Sequence, residues 1–397
     1  MKDRIIKVLI RVKNRKKEFL WSMIIGFFML LIAYEAMNVY WPWTGGENMK
    51  MKVCEWVKQS IMEKILGDDK SNSNDATHNY VTIPYDSALD SVMMVDVHYD
   101  KVLAMEFKGH LREGKVAVAD HQKLLTFLKA LKKYDNYKYI MFDVYIKKSI
   151  PQKADNELIN IISSMDRIAV PIPLDGIDEM DKRLHQHAAM AKYGITLWEN
   201  DFVKYPYYSD GMKSIPLKMY EDITGRSISD HFLFAWDKGF ARRNVMLTYE
   251  FQESIPEKLG KILGDSDDTG YLNKPEKFKN KYILIGDFED DRHETLKNEM
   301  SGTAINFNAF LSLLHGKHCP GLLMPLLMFG IFTLLAYLTI TQNKLIFGGF
   351  WGYGTYLLIF CIIIYLLCNE VYEILILSMI YAGLKKCIEL NWINFKK

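Results

Sequence analysis

The chain has 397 residues, 50 Lys and Arg against 48 Asp and Glu, and a formal net charge of +2. At 49% hydrophobic and 25% charged residues, it is neither a disordered chain nor a collagen-like fibre, and five Cys do not make a disulfide scaffold. The basic charge gathers at the two ends, with eight Lys and Arg in residues 1–19 and four Lys in residues 385–397, whereas a nucleic-acid binder concentrates it on a folded domain, so no nucleic-acid partner is expected.

Residues 1–18 read as a cytoplasmic basic segment. Residues 19–41 are apolar except for Glu35, long enough at ~1.5 Å per residue to cross a ~30 Å hydrocarbon core. The preceding positive charge holds the N-terminus inside and sends residue 42 out, and Tyr40, Trp41 and Trp43 suit the outer interface. The stretch is too long for a cleaved signal peptide, and no small-x-small site follows it. Glu35 lies near the outer end of its helix, where snorkelling to the interface is the simple reading and an ion path the functional one.

Residues 42–320 form one large outer segment, net acidic, opening with a polar loop over 67–79. After it, apolar runs of strand length alternate with runs of helical spacing. Strands are expected at Ser91–Val97, Tyr139–Ile146, Arg167–Leu174 and Tyr282–Asp287, and helices at Lys123–Tyr134, Asp155–Met165 and Thr303–Leu314. Continuously apolar strands alternating with helices predict an α/β domain with a mostly parallel sheet covered on both faces. The Tyr- and Pro-rich residues 175–280 show no clear pattern and read as an extension of that domain.

Three further apolar runs follow, Leu322–Thr341, Leu345–Leu367 and Val371–Leu384, read as spans over 321–341, 345–367 and 370–386; the last is short and holds Glu373, with an interfacial helix as its alternative. With Lys344 inside, Glu370 and Glu373 outside, and Lys385 and Lys386 inside, four transmembrane helices place both termini in the cytoplasm, leaving 387–397 as a tail. Gly348 and Gly352 have the spacing of close helix packing. The lipid bilayer is thus the first partner.

Three strands end in a carboxylate, Asp96, Asp143 and Asp287. Ligands of open parallel sheets bind beyond the carboxyl ends of strands. Two readings stand: the carboxylates converge to hold a divalent cation or an amine, or each caps its own turn. Asp290, Asp291 and His293 crowd the segment after the last strand and join the candidates, unless Arg292 pairs with a merely solvated loop. Asp265–Glu276 has EF-hand-like offsets but carries Pro275 beside the bidentate position, and reads as an acidic surface turn. P-loop, His-Glu-x-x-His and Gly-x-Ser-x-Gly motifs do not occur, and no cofactor is expected. Cys54 and Cys319 flank the outer segment and are taken as two thiols.

The stretch 278–318 resembles the signature end of the type 2 CHASE domain, an extracytoplasmic sensory domain of bacterial signalling proteins. The resemblance rests on Ile285-Gly286, the acidic run Asp287 to Asp291, His293 and Thr295, Met300 to Gly302, and Asn308-Ala309. Asp96 and Asp143 match two earlier strand-end Asp positions, and Ser214–Tyr220 resembles a further step of the pattern. Asp120-His121 departs from it, standing where the family often has Arg. The family's plan of one helix before and three after the domain is similar to the one read above. The resemblance implies a sensor in the bacterial inner membrane. The short tail leaves no room for the family's usual output enzyme, so a membrane signalling partner is expected, with a small ligand or an envelope protein bound outside. The other readings are a metal-dependent envelope enzyme and a structural subunit of a membrane complex.

Overall fold

A computed structural model describes residues 16–38, 91–109, 111–191, 204–209, 211–230, 253–265, 270–295, 299–319, 321–342, 349–368 and 374–390, with short pieces or single residues at 53–61, 235–251 and 372. The polar loop 67–79, the aromatic residues 40–43, most of the N-terminal basic segment, Lys344, Gly348, Glu370, Glu373 and the tail beyond 390 lie outside the described residues.

The first helix is α1, Lys16–Asn38. The α/β domain begins with β1, Val92–Asp96, then a hairpin of β2, Lys101–Lys108, and β3, Leu111–Ala119. There follow α2, His121–Tyr134; β4, Tyr139–Phe142; α3, Asp155–Ser163; β5, Ile168–Pro171; and β6, Ala188–Ala189. The poorly patterned region contains α4, Ile215–Thr224. It leads to β7, Glu257–Lys258; α5, Leu259–Leu263; β8, Tyr282–Gly286; and α6, Gly302–Leu314.

Six strands form one sheet in the order β7-β1-β8-β4-β5-β6, with every pair parallel. The three central strands, β1, β8 and β4, are buried along nearly their whole length, which is why they read as continuous apolar runs. Alternate residues serve two cores. Val95, Ile140 and Ile285 meet α2, α3 and α5 on one face; Met94, Met141 and Leu284 meet α4 and α6 on the other. The expected α/β sheet, covered on both faces, is present.

Local signals set the helix ends. Asp120 caps α2 by accepting from the amides of Gln122 and Lys123, at 2.9 and 3.4 Å, and Leu124, Leu125, Phe127, Leu128 and Leu131 bury its inner face. His121, the departure from the resembled pattern, is buried and bonded through Nδ1 to Asp155 at 2.5 Å, tying α2 to α3. Ser214 caps α4 with Pro216 in its first turn, and Gly225 closes it at φ +66°. The strand expected over Tyr139–Ile146 ends at Phe142; the Asp143 amide still bonds to the neighbouring strand at Ile285, while its side chain meets α6. Of the EF-hand-like run, residues 266–269 lie outside the described residues. Asp265 pairs with Lys123 at 2.6 Å, and Glu276 sits in a single 3-10 turn.

Helix α6 is buried on every side from Gly302 to Leu313. At 13 residues it is too short to span a bilayer and serves as a core helix. Its outer side is covered by the extension, through Tyr205, Tyr207, Ala235, Ala241 and Phe251. Asn308 fastens that cover: it accepts from the Phe251 amide at 2.9 Å and donates to the Phe251 carbonyl at 3.0 Å.

Three helices follow, α7, Leu323–Ile340; α8, Gly349–Cys368; and α9, Leu375–Glu389. The four-span expectation is met in part. Among the described residues two helices, over Lys16–Glu35 and Leu323–Ile340, are long and apolar enough to cross a membrane. Helix α8 carries the shorter apolar stretch Trp351–Leu367. Helix α9 starts at 375, later than the expected 370, and its second half carries Lys385, Lys386 and Glu389, so its apolar part is shorter than expected. The four helices share one core, with Met29, Phe332, Tyr353, Leu357 and Tyr381 at its centre. Tyr381 Oη donates to the Phe332 carbonyl at 2.8 Å, and Tyr372 Oη to the Leu357 carbonyl at 2.7 Å.

Helices α1 and α7 run antiparallel: Phe19 meets Tyr337, and Gly26 meets Thr333. A Cβ on Gly26 would stand 2.8 Å from the Thr333 backbone nitrogen, so the helix backbones touch. Gly26→Val is expected to push the helices apart and destabilise their packing by about 1–3 kcal/mol. Gly330→Ala, which faces open space, leaves it unchanged. Thermal unfolding of the full chain in detergent checks both.

Candidate functional site

The carboxyl ends of β1, β8 and β4 lie side by side. Asp96 pairs in register with Gly286, and the Asp143 amide donates to the Ile285 carbonyl at 2.7 Å. Asp96 and Asp143 therefore flank Gly286 on the α6 face, two strand spacings apart, about 9.5 Å. Gly286 is required there: a Cβ would fall 2.1 Å from Thr303 Oγ1. The first turn of α6 thus lands on the end of the central strand. Ser301 caps that turn by accepting from the Ala304 amide at 3.2 Å.

The strand-end acids divide into two groups. In the first, Asp96 is 1% exposed and its Oδ1 accepts from the amides of His98 at 3.0 Å and Phe288 at 3.3 Å. Burial pushes its carboxyl above the usual range, against those hydrogen bonds. Asp287 accepts from the amides of Glu289 and Asp290, at 3.1 and 2.9 Å. Lys101 Nζ lies 2.7 Å from both Asp287 and Asp290, and His98 Nδ1 lies 3.3 Å from each. Burial works to raise Asp287, but these amides and the Lys101 ammonium outweigh it and hold the carboxyl below its usual value. Lys101 thus fills the position a bound cation would take.

The second group surrounds Asp143. Its Oδ2 accepts from Thr303 Oγ1 at 3.0 Å and Asn306 Nδ2 at 3.3 Å. Tyr205 Oη donates to Asn306 Oδ1. Asp291 Oδ1 pairs with His293 Nε2 at 2.9 Å. Burial, then the negative charge of Asp291, pushes the Asp143 carboxyl up to about 7, while Thr303, Asn306 and His293 oppose the rise. A carboxyl poised near neutral pH both donates and accepts hydrogen bonds, the property expected of a working site.

The three strands are neighbours, yet their acids do not form one cluster. Asp96 and Asp287 share a neighbourhood, whereas Asp143 joins Asp291 and His293 on the β4 side of Gly286. Asp96 and Asp287 also cap their own turns, so both sequence readings hold in part. Arg292 pairs with Glu253 at 3.1 Å, outside the acidic run, and leaves Lys101 to neutralise Asp287 and Asp290. His98, Lys101, Tyr205, Thr303 and Asn306 belong to these groups and were not among the residues expected there. For Thr303 and Asn306 a signal existed: two polar residues three apart in an otherwise apolar helix. For Lys101 there was none, because its position follows from the hairpin. A hollow of about 390 Å³ lies at the opposite edge of the sheet, beside Tyr137, Asp166 and Arg167, away from these groups. Cys54 and Cys319 are not bridged; Cys54 lies in the core shared by the four helices. No family model, curated protein or solved structure matches the chain.

The folded state keeps a proton on Asp143 up to about pH 7, whereas the unfolded chain loses it near pH 4. Stability therefore falls as pH rises through that window, by up to the order of 4 kcal/mol. Asp143→Asn should flatten the fall, measured by denaturant unfolding between pH 4 and 8. Lys101→Met leaves Asp287 and Asp290 unneutralised and should cost about 1–3 kcal/mol at pH 7. Because Asp287 is depressed in the folded state, that loss shrinks as pH drops below 4; a loss independent of pH would contradict the assignment.

Proposed function

We propose that the chain is a membrane-anchored, extracytoplasmic ligand-binding protein of the type 2 CHASE kind. Its outer domain binds a small polar solute at the carboxyl edge of the sheet and signals through its helices to a separate membrane protein. The observation that carries this reading is the row Asp96–Gly286–Asp143 on neighbouring strands, with Asp143 poised near neutrality. The first turn of α6 rests on this row, and α6 continues through a short connection to α7, so a solute that moved Thr303 would act on an element joined to the bundle.

The four-helix topology, with both termini cytoplasmic and the bacterial inner membrane as location, belongs to the same reading. Its support is the outer surface of the bundle. Leu20, Phe28, Leu326 and Leu367 are each 57–59% exposed and Trp351 82%. A helix bundle apolar within and without suits lipid, not water.

The test is thermal unfolding of the full chain in detergent, with amines, polyols and divalent cations in turn. A solute at 100 times its dissociation constant adds ~2.7 kcal/mol. A raised midpoint lost in Asp143→Asn and Asp96→Asn is expected. No shift with any solute, or a shift that survives both substitutions, overturns the site. Hydrolysis of a bound solute, lost in Asp287→Asn, would make the protein an envelope enzyme instead.

A further inference from the structure

Where the domain meets α7, three donor types gather under cover of the protein. Asp237 follows the short strand Ala235–Trp236 and is 8% exposed; His318, in the connection from α6 to α7, is 1% exposed, and Cys319 beside it is half-buried. His318 Nε2 lies 2.7 Å from Asp237 Oδ2, and Cys319 Sγ lies 3.3 Å from the Asp237 carbonyl oxygen. One donor atom from each of the three lies within 4.8 Å of the other two. Tyr220 Oη donates to Asp237 Oδ2 at 2.9 Å, and the rings of Tyr207 and Tyr220 meet the imidazole edge-on, at 6.3 and 5.6 Å.

We infer that Asp237, His318 and Cys319 form a binding site for a divalent transition-metal cation of the zinc class. One nitrogen, one thiol sulfur and one carboxylate oxygen match the preferences of that class, whereas calcium and magnesium take oxygen sets. With metal bonds of about 2.0 Å to nitrogen and oxygen and about 2.3 Å to sulfur, tetrahedral donors stand about 3.2–3.6 Å apart. The imidazole and carboxylate therefore separate by less than about 1 Å to admit the ion, as the thiol proton leaves to solvent and the proton between Nε2 and Asp237 is given up, leaving a neutral imidazole protonated on Nδ1. Tyr220 holds the carboxylate in place, the role of an outer partner at such sites. A fourth position remains for water. The group His98, Asp287 and Asp290 is equally close-set, but there Lys101 already supplies the positive charge.

The placement says what the metal would do. His318 and Cys319 lie just before Leu323, where α7 begins, and Asp237 belongs to the cover over α6. A bound ion would pin the outer domain to the helix that leaves it. This is independent of any solute at the strand ends.

The test uses the full chain in detergent, stripped with chelator and titrated with Co²⁺. Tetrahedral ligand-field bands are expected, with a thiolate-to-cobalt charge-transfer band in the near ultraviolet, both removed by stoichiometric Zn²⁺. Cys319→Ser should abolish the charge-transfer band, and His318→Ala should weaken binding by at least about tenfold. Cys387→Ser should change neither, and the metal-free unfolding midpoint of Cys319→Ser reports whether that variant is folded. Absence of the bands in the unaltered chain, or bands that persist in folded Cys319→Ser, would overturn the site and leave His318–Asp237 as a buried hydrogen-bonded pair.

Discussion

Thr303 of α6 occupies the space that a side chain on Gly286 would need, and much of the outer domain is arranged around that contact. It brings the first turn of a wholly buried helix onto the end of the central strand. A helix set so deep must satisfy every polar group it carries. Thr303 and Asn306 do so on Asp143, Asn308 on the backbone of Phe251, and Ser312 on the Asn308 carbonyl, at 2.8 Å. The same bonds that place α6 therefore create the environment of Asp143. Burial of that carboxylate follows from the helix landing there, and its raised affinity for a proton follows from the burial.

Charge around the strand ends is balanced unevenly. Asp287 and Asp290 have Lys101 between them, and Asp96 is held by two backbone amides. Asp143 has neutral donors and lies near another acid, Asp291. One group is an internally neutralised turn, while the other sets a carboxyl among the neutral donors Thr303 and Asn306. The two lie on either side of a single glycine, so whatever binds at Asp143 has the turn at 287–291 as its neighbour.

The lower end of the domain solves a different problem. A buried carboxylate at Asp237 is costly unless it is paired, and it finds an imidazole, a phenol and a neighbouring thiol. These partners come from α4 and the connection into α7.

Much of the architecture was legible in the chain. Buried strands in a parallel sheet are apolar throughout, so β1, β8 and the core of β4 stood out, and helices half-covered by the sheet kept a 3.6-residue period, as in α2 and α3. Capping residues such as Asp120 and Ser301 mark their helices because unpaired amides demand them. The hairpin β2–β3, half-buried along β2 and mostly exposed along β3, left no such pattern, and α9 looked longer from its apolar residues than the helix proved to be. Three acids at strand ends were visible, but which would stand together was not. That depends on strand order and on which face each residue meets, and both are set by contacts between segments 140 and more residues apart. The Asp237–His318–Cys319 group is the extreme case: two adjacent residues and one 81 positions earlier carry no shared motif, and only the packing of the extension over α6 brings them together.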